Sequence, residues 1–304
     1  MKSFLVNSIY RYAGEVLTEP TKILVVDHHY DEENDVWPLQ QLLDASTCKP
    51  EEHTLLFDML IHDDQFAQYN PICEPWTMEW LQHEFEEENI VPDWTNKTVP
   101  FNFMINKERP HRIKLLKMIE DAQLTNFTYS LPWLLNPHTS VKPTDYMIGT
   151  ETQMAQGIRS GSIRNSQNYK QLLQKNVFEP SCISLITEPP IYEKEAHLSE
   201  KVIMAIYGGT IPIFIGGWRC ADALRIMGFD MFDDIVDHSY ETLEDPWDRV
   251  TNAFHLNIEL LESFTITDTV LKRMQCNLDL LTDGVFSKAL NHLKKGPFNH
   301  DYQQ

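Results

Sequence analysis

The segment from Ile183 to Gly216 holds the densest set of residues able to do chemistry. A short apolar run, Cys182-Ile-Ser-Leu-Ile-Thr187, exits into Glu188. Eleven residues on, Ser199 has the side chain of a helix N-cap, and Glu200 and Lys201 fall in the first turn of a helix expected over 198–207. Main-chain N–H groups are free at a helix start and favour an anion, and a lysine there adds a compact positive charge suited to phosphate. Gly208-Gly209 then ends the helix, and a strand at Ile211–Ile215 closes on Gly216-Gly217.

Two further clusters complement this one. The strand-like run Phe101-Asn-Phe-Met-Ile-Asn106 leads into a basic turn, Asn106-Lys107-Glu108-Arg109-Pro110-His111-Arg112. Arg109 or Arg112 can grip phosphate oxygens bidentately. Near the N-terminus, the β-branched run Lys22–Asp27 ends in Asp27-His28-His29, which supplies a carboxylate and two imidazoles at a strand exit, where a general base is useful. Asp58, His62 and Asp63 form the next set. Metal chemistry is less well supported. Asp27, Asp31 and the histidine pair lack a third-ligand spacing, and Asp230, Asp233 and Asp234 do not follow an apolar strand, so capping and solvation account for them. Neither a nucleophile elbow nor a P-loop pattern occurs.

The elements that must position these groups are legible as alternating strands and helices. After the strand at 101–106 come a helix over 111–123, a strand at 127–131, a helix near 167–175, a strand at 182–187, the helix at 198–207 and the strand at 211–215. That alternation predicts a parallel, doubly wound α/β sheet. The last third, through 247–261 and 268–281, reads as helical, and 78–88 reads as a helix with an acidic face. Residues 89–100 have linker composition. They coincide with a break in charge: the first 97 residues carry 5 basic and 20 acidic side chains, and the rest carry 20 and 25. Two domains are therefore expected, an acidic 1–97 and a near-balanced 98–304.

The net charge of −20 over 304 residues, with 42% hydrophobic content, excludes disorder and disfavours duplex nucleic acid as a partner. Five scattered cysteines without a CxxC pair, no signal-peptide pattern and no long apolar run lead to the expectation of a cytoplasmic protein with no membrane span.

The order Glu188, Leu198-Ser-Glu-Lys201 and Gly209-Thr-Ile-Pro212-Ile-Phe-Ile-Gly216 resembles the nucleotide-sugar-binding segment of α1,3-fucosyltransferases and related GT-B glycosyltransferases. The whole span 101–261, with Gly228-Phe-Asp-Met-Phe-Asp-Asp234 as a companion feature, also looks like glycosyltransferase-like proteins of bacteria and their viruses. The resemblance implies a GT-B-like α/β fold with two Rossmann-like domains, residues 1–97 taking the acceptor and 98–304 the donor. It implies metal-independent transfer of a sugar from a nucleotide diphosphate to a glycan or other hydroxyl acceptor. No cofactor is expected beyond that co-substrate. By position, Glu200 takes the ribose, Lys201 the diphosphate with help from Asn106, Lys107, Arg109 or Arg112, and Glu188 with Ser199 the sugar side. The family's Asn-Ser after the strand-end acid is Pro189-Pro190 here, so neither fucose nor guanine is fixed by the resemblance. In such an arrangement the base comes from the N-terminal domain, hence Asp27, His28 or His29. The competing expectation is a non-catalytic nucleotide- or glycan-binding protein on a degenerate form of the same fold.

Overall fold

The computed structural model describes residues 2–7, 18, 21–27, 43–44, 46–57, 60–61, 72–73, 94–95, 97–105, 109–130, 150–151, 178, 180–188, 191 and 195–282. The chain is α/β with two parallel sheets. The first contains β1 (Lys2–Asn7), β2 (Thr21–Asp27), β3 (Thr54–Phe57) and β5 (Ile72–Cys73), in that order and all parallel. The second is built from β6 (Val99–Met104), β7 (Phe127–Ser130), β8 (Thr150–Glu151), β9 (Ser181–Ile186) and β11 (Ile211–Phe214), in the order β11-β9-β6-β7-β8. All four of its pairings are parallel.

That order runs outward in both directions from β6, the first strand of its sheet in sequence. The chain goes first to β7 and β8 on one side and then to β9 and β11 on the other, so strand order reverses between β6 and β9, and the region beyond their carboxyl ends is the switch-point crevice where open α/β sheets place ligands. The helices α1 (Pro110–Asp121), α2 (Glu200–Tyr207), α3 (Cys220–Ile226), α4 (Pro246–His255), α5 (Ile258–Ser263) and α6 (Asp268–Thr282) pack around this sheet. Alternation along the strands divides the core. Phe101, Phe103, Ile183, Leu185, Ile211 and Ile213 point into one cluster with Leu115 and Leu116 of α1 and Phe254 of α4. Ile186 and Phe214 point into a second with Val202, Ile203 and Ala205 of α2 and Leu224 of α3. The alternate positions of β6 and β9 also carry a buried polar seam, in which Asn102 Nδ2 donates to Ser184 Oγ at 3.0 Å and Ser184 Oγ meets Thr210 Oγ1 at 2.7 Å. Each polar group has a partner, so the seam fixes the register of neighbouring strands without leaving an unpaired buried group.

A short antiparallel pair joins the two sheets. β4 (Leu60–Ile61) directly follows the carboxyl end of β3, and β10 (Glu195–Ala196) lies between the carboxyl end of β9 and the start of α2, with Ala196 opposite Leu60. The carboxyl edges of both sheets therefore converge on one place.

Residues read as linker in the sequence are anchored in part. Trp94 Nε1 donates to the Tyr207 carbonyl at 2.9 Å, Lys97 Nζ donates to the carbonyls of Phe178 and Gly208, and Thr98 and Val99 N–H both reach the Pro180 carbonyl. These bonds explain Gly208-Gly209 beyond a helix stop. Gly209 has φ +59°, and a Cβ there would lie 2.5 Å from the Trp94 ring. Gly209→Ala is expected to cost at least about 1–2 kcal/mol from the left-handed backbone alone, with displacement of the indole added. Urea unfolding followed by tryptophan fluorescence checks this, and unchanged stability would show that the Trp94 contact does not hold the segment.

The structure departs from the sequence-based expectations at several elements. The region read as helical over 247–261 is two helices, because buried Asn257 uses its side chain to bind the Asp237 main chain and the Ala253 carbonyl. Strand β1, strand β8 and helix α3 had no assigned signal in the sequence. Asp230, Asp233 and Asp234 are held in ion pairs, Arg273 taking Asp230 and Asp234 and Arg225 taking Asp233. Among the described residues no group of three His, Cys, Asp or Glu is arranged to hold a metal ion, and no helix is long and apolar enough to cross a membrane. The helices expected over 78–88 and 167–175 lie outside the described residues.

Candidate functional site

The crevice beyond β6 and β9 receives the N-termini of two helices. α1 follows β6, with Arg109 in extended conformation at its N-cap and Pro110 at the first helical position, where a missing N–H costs nothing. α2 follows β9 and β10. Its cap is Ser199, whose side chain accepts from the Lys201 main-chain N–H at 3.3 Å. Both helices thus turn the positive ends of their dipoles to the same edge of the sheet, while Pro110 has no N–H and those of Arg112, Lys201 and Val202 are already bonded within their own first turns.

Glu188 is the hub of the β9 side. It is 1% exposed. Oε1 accepts from the Ser199 hydroxyl at 2.6 Å and from the Ser199 N–H at 3.2 Å, and Oε2 pairs with Lys201 Nζ at 3.2 Å. Lys201 Nζ also donates to Ser199 Oγ at 3.0 Å. Burial pushes the Glu188 carboxyl up, but Lys201, His197 and the Ser199 donors together outweigh burial and hold it below the usual carboxylate range. The Ser199-Glu200-Lys201 signature is therefore locked to the strand-end acid eleven residues before it.

The β6 side is tied to the same strand end. Arg112 is buried and donates Nη2 to the Thr187 carbonyl at 2.8 Å. His111 is buried beside it, and its ring bonds the Glu188 main-chain carbonyl. Burial first, then the guanidinium groups of Arg112 and Arg109, lower the His111 pKa to about 3, with Glu188 pulling the other way. The imidazole is neutral at physiological pH. Arg109 is half-exposed, and it opens onto a surface cleft with Pro110, Ile113, Lys114, Lys117 and Trp247, where Lys114 Nζ lies 5.3 Å from the Trp247 ring centroid.

Of the residues singled out in the sequence, Arg109, Arg112, Glu188, Ser199 and Lys201 come together at this crevice. Glu200 opens α2, but its side chain lies outside the described residues, as do Asn106 and Lys107. Asp27 ends β2, opposite Asn7 of β1, and its side chain and all of His28 and His29 lie outside the described residues, like Asp58, His62 and Asp63. Trp218 is buried, with the Arg249 guanidinium 5.1 Å from its ring.

Three residues escaped the sequence reading. His111 was visible only as part of a basic turn. Arg249, 1% exposed, donates to the carbonyls of Gly216, Leu243, Glu244 and Ile191, and so fastens the loops at the carboxyl end of β11. Glu241 accepts from the Ala221 N–H at the start of α3 at 2.8 Å, and Oε1, its other carboxyl oxygen, has no partner among the described residues. Neither residue has a local sequence signal, because their partners are main-chain groups brought close by the fold.

No family model matches the chain. No curated protein matches it either. Among solved structures, it is similar to a single-substitution variant of BGT from phage T4 in complex with UDP-glucose, at 12% identity and a TM-score of 0.42, covering 98% of this chain and 82% of that one. A structure of the DNA-modifying enzyme β-glucosyltransferase, determined with and without uridine diphosphoglucose, is similar at 12% identity and a TM-score of 0.33, covering 89% and 82%.

Proposed function

We propose that the chain is a GT-B-like glycosyltransferase that moves a sugar from a nucleotide diphosphate to a hydroxyl acceptor. The observation that carries this reading is the convergence, at the one crevice where strand order reverses, of two helix N-termini with Arg109, Arg112 and the Glu188–Ser199–Lys201 cluster. A diphosphate suits such a place, because two helix dipoles, two guanidinium groups and an ammonium group supply more positive charge than Glu188 cancels. When the bond from the sugar to the diphosphate breaks, charge develops on the leaving oxygen, and these preorganised donors stabilise it. Residues 98–304 are the donor part in this reading, and Glu200 takes the ribose.

The acceptor enters from the other sheet, residues 1–97, whose carboxyl edge is drawn to the crevice by the β4–β10 pair. Asp27, at the carboxyl end of β2, with His28 and His29 following, is the proposed source of the general base that takes the acceptor's proton. No metal is assigned a part.

A second reading is a nucleotide-binding protein without transferase activity. It is favoured by Glu188, both of whose carboxyl oxygens are engaged by Ser199 and Lys201 rather than turned to a sugar.

Thermal unfolding against UDP, GDP, dTDP and CMP tests the site. A ligand at 100 times its dissociation constant adds about 2.7 kcal/mol, so at least one diphosphate should raise Tm by several degrees. Arg109→Ala, at a half-exposed position, should leave the fold intact and weaken that diphosphate by roughly 10- to 100-fold, the worth of a charge-assisted contact. Nucleoside without phosphate should bind both proteins equally. Absence of any shift refutes the reading. Binding without turnover of any sugar nucleotide would favour the second.

A further inference from the structure

Around the end of β9, buried polar side-chain atoms, His111 Nε2 and Thr187 Oγ1 among them, have no hydrogen-bond partner among the described residues. His111 sits in the first turn of α1 between Arg109 and Arg112 and is 2% exposed. Its ring reaches across the crevice to the Glu188 main-chain carbonyl. A carbonyl can only accept, so the ring nitrogen facing it carries the proton, and in a neutral imidazole the other nitrogen is then a lone-pair acceptor. That nitrogen, Nε2, is buried and has no partner among the described residues. A buried acceptor left unsatisfied is costly, and such groups persist where a ligand completes them.

The surroundings restrict what can complete it. The guanidinium groups of Arg109 and Arg112 repel a cationic donor, and a lone pair rejects a phosphate oxygen. A neutral donor that travels with a negative group meets both restrictions, and a sugar hydroxyl next to a diphosphate is one.

We propose that His111 is a specificity residue of this site, whose Nε2 accepts a hydrogen bond from a hydroxyl of the bound sugar nucleotide, on the ribose or on the sugar to be transferred. The inference rests on the nucleotide-sugar reading above. It adds a neutral acceptor beside the cations and the already engaged Glu188 carboxylate, and so separates sugar nucleotides from inorganic phosphates of equal charge.

Two substitutions divide the functions of the ring. His111→Asn keeps an N–H for the Glu188 carbonyl and removes the acceptor, whereas His111→Gln carries a carbonyl oxygen to the position of Nε2. Calorimetry would use the nucleoside diphosphate giving the largest thermal shift with wild type, its glucose conjugate, and inorganic pyrophosphate as a probe without hydroxyls. His111→Asn should bind at least one of the two nucleotides roughly tenfold more weakly, His111→Gln should stay within about threefold of wild type, and pyrophosphate should bind all three proteins alike. Loss with both nucleotides assigns the hydroxyl to ribose, and loss with the glucose conjugate alone assigns it to the transferred sugar. Equal nucleotide binding by all three proteins would overturn the role of His111 and leave the site reading standing, even if Tm of the ligand-free variants falls, because that pattern marks a purely structural histidine. Failure of wild type to bind any nucleotide would overturn both.

Discussion

Lys201→Ala is expected to lose about 3–5 kcal/mol of stability, because it strips the counter-charge from a carboxylate buried at the end of β9. Read from the sequence, Lys201 is a phosphate ligand whose removal should affect turnover and leave the fold alone. Its salt bridge to Glu188 changes that expectation, since the lysine now has a structural duty whether or not it also touches phosphate. The sign of the pH dependence separates this from a packing defect. In the wild type Glu188 is held below the usual carboxylate range, so its contribution is fully present above the unfolded value near 4.5 and is lost only as pH falls below it. Without Lys201, burial dominates and the carboxyl shifts upward. The variant should therefore recover on acidification from neutral pH toward 4.5, and the gap between the two proteins should narrow. The double variant Glu188→Gln/Lys201→Met replaces the pair with neutral groups of similar volume and should return to within about 1 kcal/mol of wild type. Urea titrations of the three proteins at pH 5 and pH 7.5 are the check, and a gap that stays constant with pH would show that Glu188 is not a buried charge. If the double variant is stable yet still fails to bind nucleotide, the Glu188–Lys201 pair serves the ligand as well as the fold.

What could be read from the sequence follows from how local each signal is. Strand β6, helix α1, strand β9, helix α2 and strand β11 carry their own periodicity, caps and breakers, and the expected spans match the observed ones to within about two residues. The bonding of Ser199 to Lys201 N–H is a cap within one turn, and it too was legible. Strand order was not. A sequence of alternating strands and helices fits several orders, and only the pairing of β6 with both β7 and β9 identifies the crevice. The links from Arg112 to Thr187 and from Glu188 to Ser199 and Lys201 depend on that pairing, so the sequence could nominate these residues but not their partners. Arg249 shows the opposite limit. Read along the chain it is one charged residue in an amphipathic helix, yet every carbonyl it binds lies in a loop whose position the sheet determines. The same holds for the acids at 230–234, where the arginines that neutralise them come from α3 and α6.

Glu241 gives the second large effect, and it acts in the opposite direction to Glu188. It is 2% exposed, and burial raises its pKa to about 8, with Asp222 adding to the shift and the Ala221 N–H, Arg225 and Arg219 opposing it. At neutral pH the folded protein therefore holds this carboxyl protonated while the unfolded chain does not. Its contribution is fully present below the unfolded value near 4.5 and falls as pH rises toward 8, at up to roughly 1.4 kcal/mol per pH unit. Glu241→Gln removes the titration and keeps an oxygen to accept from the Ala221 N–H. The variant should match wild type near pH 4.5 and exceed it by on the order of 3–5 kcal/mol at pH 8 and above. Thermal or urea unfolding between pH 4.5 and 9 measures this, and parallel profiles for the two proteins would mean that Glu241 is ionised in the folded state. The position gives the titration a route to the site. Glu241 receives the Ala221 N–H, its main-chain carbonyl receives the Arg219 N–H, and the adjacent Cys220 thiol lies 3.7 Å from the His197 carbonyl, two residues before the Ser199 cap. Ionising Glu241 places a desolvated charge at the start of α3 that the Ala221 N–H, Arg225 and Arg219 offset only in part, and α3 packs against β10 on the approach to α2. Nucleotide affinity of the wild type should consequently decline as pH rises from 7 to 9, whereas that of Glu241→Gln should hold constant, a comparison in which every other titrating group is shared.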